Sequence, residues 1–144
     1  LFVNLKERPM EKEILEGNKL IMKFMELKPT EWGGMYSISH NHCTCRESTP
    51  EKALDGFASI AKYHESWDWL MPIVEKIESI VFNENNSFNV TIGSGNYCVI
   101  QDSHGEVYDS VEDYKESKLL TTYSAVVEFI KWYNENKNQW KKKY

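Results

Sequence analysis

Cysteine is scarce in this chain, and the three thiols, Cys43, Cys45 and Cys98, are an odd number without a framework spacing. That excludes a disulfide-stapled scaffold and points to reduced thiols in a cytosolic protein. Proline (4) and glycine (7) are also few, which excludes collagen-like and low-complexity architectures. No run of about 18 apolar residues occurs, so no segment reads as a membrane span. The opening Leu1-Phe2-Val3-Asn4-Leu5 is too short, and too soon charged, for a signal peptide. Basic charge is short as well: 17 Lys and Arg against 22 Asp and Glu leave a net charge of −5. A nucleic-acid binder normally carries a basic excess, because phosphate neutralisation supplies most of its affinity, so direct DNA binding is not expected. The basic run Lys141-Lys142-Lys143 reads as a solvated tail.

Aromatic residues, by contrast, are abundant. They make up 13% of the chain, with 5 Trp and 8 Tyr. Trp and Tyr bury well, but they also anchor interfaces where one end of the ring is dry and the other wet. A core of this size is expected to leave some of them facing outward. The length of 144 residues suits one core. The expected organisation is a leader or flexible N-terminus at 1–9, a single α+β domain at 10–137, and a basic C-terminal tail at 138–144.

Apolar spacing predicts a helix over Met10–Leu27, with Ile14, Leu15, Ile21, Phe24 and Met25 on one side, ended by Pro29. After a turn at Trp32-Gly33-Gly34, a short strand is expected at Met35–Ser39. Thr49-Pro50-Glu51 opens a helix, expected to be interrupted at Gly56. A second main helix, Ser66–Ile80, repeats Trp67, Leu70, Ile73, Val74 and Ile77 on one face, with Pro72 inside it. Phe88–Ile92, the turn Gly93-Ser94-Gly95 and Tyr97–Gln101 read as a hairpin, followed by a turn at Ser103-His104-Gly105 and a third strand near Val107. Ser117–Asn136 is the final helix, striped by Leu120, Tyr123, Val127, Ile130 and Asn134, with Leu119, Val126 and Phe129 widening the stripe. The fold expected is α+β: a small antiparallel sheet of three or more strands packed against two or three amphipathic helices.

Two segments are distinctive in detail: Tyr63-His64-Glu65-Ser66-Trp67-Asp68-Trp69-Leu70-Met71-Pro72-Ile73-Val74-Glu75-Lys76-Ile77, and Tyr123-Ser124-Ala125-Val126-Val127-Glu128-Phe129-Ile130-Lys131-Trp132-Tyr133-Asn134. Together they resemble a family of small proteins found in bacteriophages and in bacterial genomes with prophage-like material. The likeness runs from about residue 60 to 137, with a weaker match at Gly17-Asn18-Lys19-Leu20-Ile21 and Phe24-Met25. It implies a phage accessory protein that acts on a host process, for example as an anti-defence factor. It implies no activity, cofactor or site residue.

Chemistry has few places to sit. His40, His42, Cys43 and Cys45 offer zinc-ligand types within six residues. Their spacing lacks the paired pattern of structural zinc sites, and a strand would turn the two His to one face and the two Cys to the other. A metal or thiol-dependent enzyme built on this segment is therefore the alternative reading, and no cofactor is the leading one. Cys98, between strand residues, reads as core. Gly93-Ser94-Gly95 is not a phosphate loop, since it joins two strands and no Lys follows. Asp102, Glu106, Asp109, Glu112 and Asp113 lack a fixed spacing and read as a solvated acidic surface.

The ligand-binding candidates are Tyr63, His64, Trp67, Trp69 and Trp132. Around the helix start, Ser66 is placed to cap, while Glu65 and Asp68 favour the positive helix end. Trp67 and Trp69 lie roughly 200° apart on a helical wheel, so they do not share one core, and one of them is expected to be exposed or to cover a neighbouring segment. Trp132, Tyr133 and Trp140 near the C-terminus suit a protein contact, including a homodimer. The reading is a non-enzymatic binding protein whose aromatic surface takes a host protein or a nucleotide-like small molecule. A structural homodimer module is the third alternative.

Overall fold

In the computed structural model the backbone is described for residues 11–26, 28–29, 35–37, 42–44, 50–82, 86–94, 96–112 and 117–143. Side chains are described for 11–26, 54–82, 86–94, 96–107 and 117–138. The elements in order are α1 (Glu11–Phe24), β1 (Lys28–Pro29), β2 (Met35–Ser37), β3 (His42–Thr44), α2 (Pro50–Ile60), α3 (Trp67–Ser79), β4 (Val81–Phe82), β5 (Asn86–Gly93), β6 (Tyr97–Asp102), β7 (Val107–Glu112) and α4 (Lys118–Lys143). The fold is α+β, with antiparallel sheets of order β1-β2-β3 and β4-β5-β6-β7. The chain divides into two compact units, Leu1–His64 and Glu65–Tyr144.

The first unit rests on α1 and α2. Ile21, Met22 and Phe24 of α1 and Phe57 and Ala58 of α2 are buried, and so is Ala61 just beyond it. Ile14, Leu15 and Met25, expected in the core, are only half-buried, while Met22 is fully enclosed. Asn18 lies in the middle of the apolar face at 1% exposure. Its Nδ2 donates to the carbonyls of Ala58 (3.1 Å) and Ala61 (3.3 Å), groups that the end of α2 would otherwise leave with unmet bonding capacity. At the rim, Lys19 Nζ meets Asp55 Oδ1 at 2.6 Å, and this contact raises the Lys19 pKa.

α1 stops before Pro29 is reached. Glu26 adopts a left-handed backbone (φ 57°) and its N–H returns to the Lys23 carbonyl at 3.1 Å, a tight helix end. α2 does not break at Gly56 but runs on to Ile60. One glycine costs a helix about 1 kcal/mol, less than the burial of Phe57 and Ala58 beside it returns.

In the second unit, α3 contacts β5 while α4 contacts β6 and β7, so both helices address the four-stranded sheet. Leu70, Ile73, Val74 and Ile77 of α3 are buried as their spacing predicts. α4 buries Tyr123, Ala125, Val126, Val127, Phe129 and Ile130, together with Thr121 and Thr122. Ser117 caps α4 through its Oγ, which accepts the Leu120 N–H at 3.1 Å. The helix continues to Lys143, so the lysines expected in a tail belong to its last turns.

The hairpin falls where the glycines predict. Gly93 pairs with Tyr97, and Asn96 takes a left-handed backbone (φ 56°) at the last loop position. A Cβ at Gly93 would overlap the Tyr97 ring, so a larger residue there requires that ring to move. Alternation puts Phe88 and its neighbours on one face of the sheet: Phe88 pairs with Asp102, Val90 with Ile100 and Ile92 with Cys98. β4 and the extension of β7 through the acidic stretch to Glu112 have no clear apolar alternation to announce them.

Candidate functional site

Three elements of the second unit deliver aromatic rings to one cluster. β4 contributes Phe82, β5 contributes Phe88, and α4 contributes Phe129, Trp132 and Tyr133. Phe82 and Phe88 stack, with centroids 4.6 Å apart and planes at 25°. Phe88 meets Phe129 edge-on at 4.8 Å. Trp132 then rests on both, edge-on to Phe88 at 6.0 Å and tilted on Phe129 at 5.7 Å. Tyr133 lies nearly parallel to Phe129 at 6.1 Å. These are favoured offset and edge-to-face arrangements.

The lower rings are closed to solvent and the upper ones are not. Phe88 and Phe129 are at 1% and 0% exposure and Phe82 at 7%, whereas Trp132 and Tyr133 are half-buried. An indole seated on buried rings has few rotamers left, so it meets a partner with little further loss of side-chain freedom. Asn136 Nδ2 donates to the Trp132 carbonyl at 2.8 Å, tying the next turn of α4 to the same residue. Glu128 and Lys131 pair at 2.9 Å nearby, both about half exposed, which adds little stability.

The sequence candidates are not gathered in one unit. Tyr63 and His64 end the first; Trp67, Trp69 and Trp132 belong to the second. Tyr63 is enclosed at 2% exposure, and burial raises the pKa of its phenol. It is a core residue and offers no open ring. His64 is half-buried in the turn before α3. Ser66 occupies the N-cap position of α3 but makes no side-chain capping bond; its carbonyl accepts the N–H groups of Trp69 and Leu70 instead. Trp67 and Trp69 are both half-buried, so each indole keeps part of its surface open. Among the described Trp and Tyr residues, Tyr63 and Tyr123 are buried, and Trp67, Trp69, Tyr97, Trp132 and Tyr133 are partly open. None projects fully into solvent, which narrows the expected outward-facing surface to rings with one edge or face accessible.

Phe82, Phe88 and Phe129 were not among the sequence candidates, although they set the orientation of Trp132. The spacing of Phe129, Trp132 and Tyr133, three and four residues apart on one helix, is the signal that links them. Their meeting with Phe88 depends on tertiary packing.

A second cluster is polar. Asp102 is 3% exposed and Asn86 7%. Asp102 Oδ1 accepts the backbone N–H groups of His104 (2.9 Å) and Glu106 (3.0 Å), and Oδ2 accepts from Asn86 Nδ2 at 3.4 Å. Asn86 Oδ1 accepts the Ser103 N–H at 3.0 Å, and Ser103 Oγ accepts the Ser87 N–H at 3.0 Å. This clasp shapes the β6–β7 turn and fixes it to the start of β5. Asp102 thus leaves the solvated acidic surface to which the sequence assigned it.

His40 and Cys45 lie outside the described residues, as do the side chains of His42 and Cys43; the backbone of 42–44 forms β3. Trp140 is likewise placed only by the backbone of α4. Among the described residues no group of three or more His, Cys, Asp or Glu side chains is arranged to hold a metal ion. Cys98 is fully buried in β6, as its strand setting predicts, and so has no route to act as a surface nucleophile. Among the described residues no helix is long and apolar enough to cross a membrane. The aromatic cluster provides stacking and desolvation. No family model matches the chain, and no curated protein or solved structure is significantly similar to it.

Proposed function

We propose that this chain is a non-enzymatic binding protein that engages a partner protein through Trp132 and the rings around it. The observation that carries the reading is the half-open indole of Trp132, braced by the buried Phe88 and Phe129. Interface hot spots are enriched in Trp held in this way, where the rigid ring contributes area at low entropic cost. The net charge of −5 favours a protein partner over a phosphate-bearing ligand, since a nucleotide would approach an acidic chain. The phage-protein resemblance suggests a bacterial host protein as the partner, met in the host cytoplasm, with anti-defence as the process served.

Comparison of wild type, Trp132→Phe and Trp132→Ala tests the reading. Each full-length protein is checked for fold by circular dichroism and used as bait in bacterial extract. A host protein held by wild type and the Phe variant, lost with the Ala variant and then titrated in pure form, supports it. Equal retention by a folded Ala variant overturns it. A parallel thermal-shift screen against nucleotides, including cyclic signalling nucleotides, separates the small-molecule alternative. Saturation of a micromolar site at millimolar ligand stabilises by about 4 kcal/mol, and such a shift would move the assignment to a nucleotide-binding protein.

A further inference from the structure

β5 lies second in its sheet, but β4 covers it only at Asn86 and Ser87. Among the described residues, no strand pairs with the rest of that edge, toward Gly93. The direction of its backbone groups follows from β6. The Asp102 N–H bonds to the Glu106 carbonyl, on the β7 side. Backbone direction alternates along a strand, so Ile100 and Cys98 also turn toward β7. Their partners on β5, Val90 and Ile92, then point their N–H and C=O groups away from β6, to the uncovered edge.

The side chains agree with the backbone. Val90 and Ile92 are half-buried, while Ile100 and Cys98 opposite them are fully closed to solvent. The apolar layer therefore stays partly open along the same edge. Sheet edges are usually protected by charge, proline or a bulge. Asn89 to Gly93 carries no charged residue and no proline, and its register with β6 is unbroken.

This segment is complementary to itself. Antiparallel pairing about a two-fold axis at Thr91 sets Val90 against the partner's Ile92, Thr91 against the partner's Thr91, and Asn89 against the partner's Gly93. The outward groups of Val90 and Ile92 bond reciprocally across the axis, and their half-open side chains close against each other. On the other face the exposed Thr91 hydroxyls meet. The net charge of −5 opposes self-association in general, but β5 contributes no charge to that repulsion.

We propose that the uncovered edge of β5 pairs with the same edge of a second copy of this chain, joining two four-stranded sheets into one. A contact this short is smaller than the ~800 Å² per partner of a standard interface. The expected association is weak, with a dissociation constant on the order of 100 μM. The proposal does not rest on Trp132, and it is tested separately from the partner-binding reading.

Sedimentation velocity of the full chain, from about 5 to about 500 μM, reads the association, and amide exchange locates it. The wild type is expected to move toward dimer mass as concentration rises. Exchange should slow at Val90 and Ile92, and not at Asn89 and Thr91, which already bond to β6. Thr91→Lys and Thr91→Glu each set like charges directly opposite across the axis, weakening association by about threefold to tenfold. Mixed in equal amounts, the two variants regain it as a heterodimer. Thr91 is exposed, so both variants should keep the fold, which circular dichroism checks. A wild type that stays monomeric throughout leaves the edge to a strand of another protein and overturns the proposal. A dimer indifferent to both charges, or a mixture that associates no better than its components, overturns it as well.

Discussion

The two compact units of this chain hold their helices by different means. In the first, a directional polar key, Asn18 to the Ala58 and Ala61 carbonyls, sits within the apolar contact between α1 and α2. In the second, five rings from β4, β5 and α4 pack in graded tilts, and the polar clasp of Asn86 and Asp102 lies at the strand ends, opposite Phe82 and Phe88 in register. A hydrogen bond fixes position sharply yet contributes only about 1 kcal/mol net. Aromatic burial contributes more, and its geometry is broader. The first unit should therefore lose specificity when its key is removed, and the second should lose stability when its rings are.

The largest expected effect tests the second half of that contrast. Phe88→Ala removes the ring that touches Phe82, Phe129 and Trp132, and is expected to cost about 3–5 kcal/mol in denaturant unfolding. Tryptophan emission should shift red as Trp132 loses its seat. A loss below about 1 kcal/mol would show that the rings are neighbours without being the support of the fold. Asp102→Ala comes next. It orphans the N–H groups of His104 and Glu106 and the amide of Asn86, at a cost of about 2–3 kcal/mol. Because this clasp lies at the strand ends, hydrogen exchange should quicken at the β6–β7 turn first. Asn18→Ala in the first unit is expected to cost about 1–2 kcal/mol. Exchange should rise at the end of α2, where two carbonyls lose their donor. If Asn18→Ala costs more than Phe88→Ala, the contrast between polar key and aromatic core is reversed.

Much of this architecture is legible in the sequence, and the reasons differ by element. α3 is read correctly because Leu70, Ile73, Val74 and Ile77 repeat at helical spacing, and the β5–β6 hairpin because Gly93-Ser94-Gly95 separates two alternating runs and Asn96 tolerates a left-handed backbone. Gly56 misleads, because its propensity is overridden by the packing of Phe57 and Ala58. Asn18 and Asp102 are invisible as core residues, since a polar side chain is buried only where tertiary partners exist to satisfy it. The candidate site is half legible: the surplus of rings is countable and Trp132 stands out, but that Phe88 comes beneath it is a matter of which strand meets which helix. Tyr63 shows the limit of composition, since an aromatic beside His64 and two indoles reads as a surface residue and proves to be core.

The smallest effect compares the units through one buried phenol in each. Tyr63 in the first and Tyr123 in the second are buried at 2% and 3% exposure, and desolvation raises both pKa values above the ordinary tyrosine range. A phenol that resists ionisation when folded but ionises freely when unfolded leaves the unfolded state with fewer bound protons. Stability is then fully present below the unfolded pKa near 10 and declines as pH rises beyond it. At pH 10.5 the decline is expected to be about 0.8 kcal/mol for each phenol relative to pH 8. Tyr63→Phe and Tyr123→Phe should each remove that share of the pH dependence, whatever they do to stability at pH 8. Absorbance at about 295 nm should show both phenols ionising only as the chain unfolds. If one of them titrates in the folded protein near pH 10, the interior of its unit is open to water on that timescale, and that unit is the more loosely closed of the two.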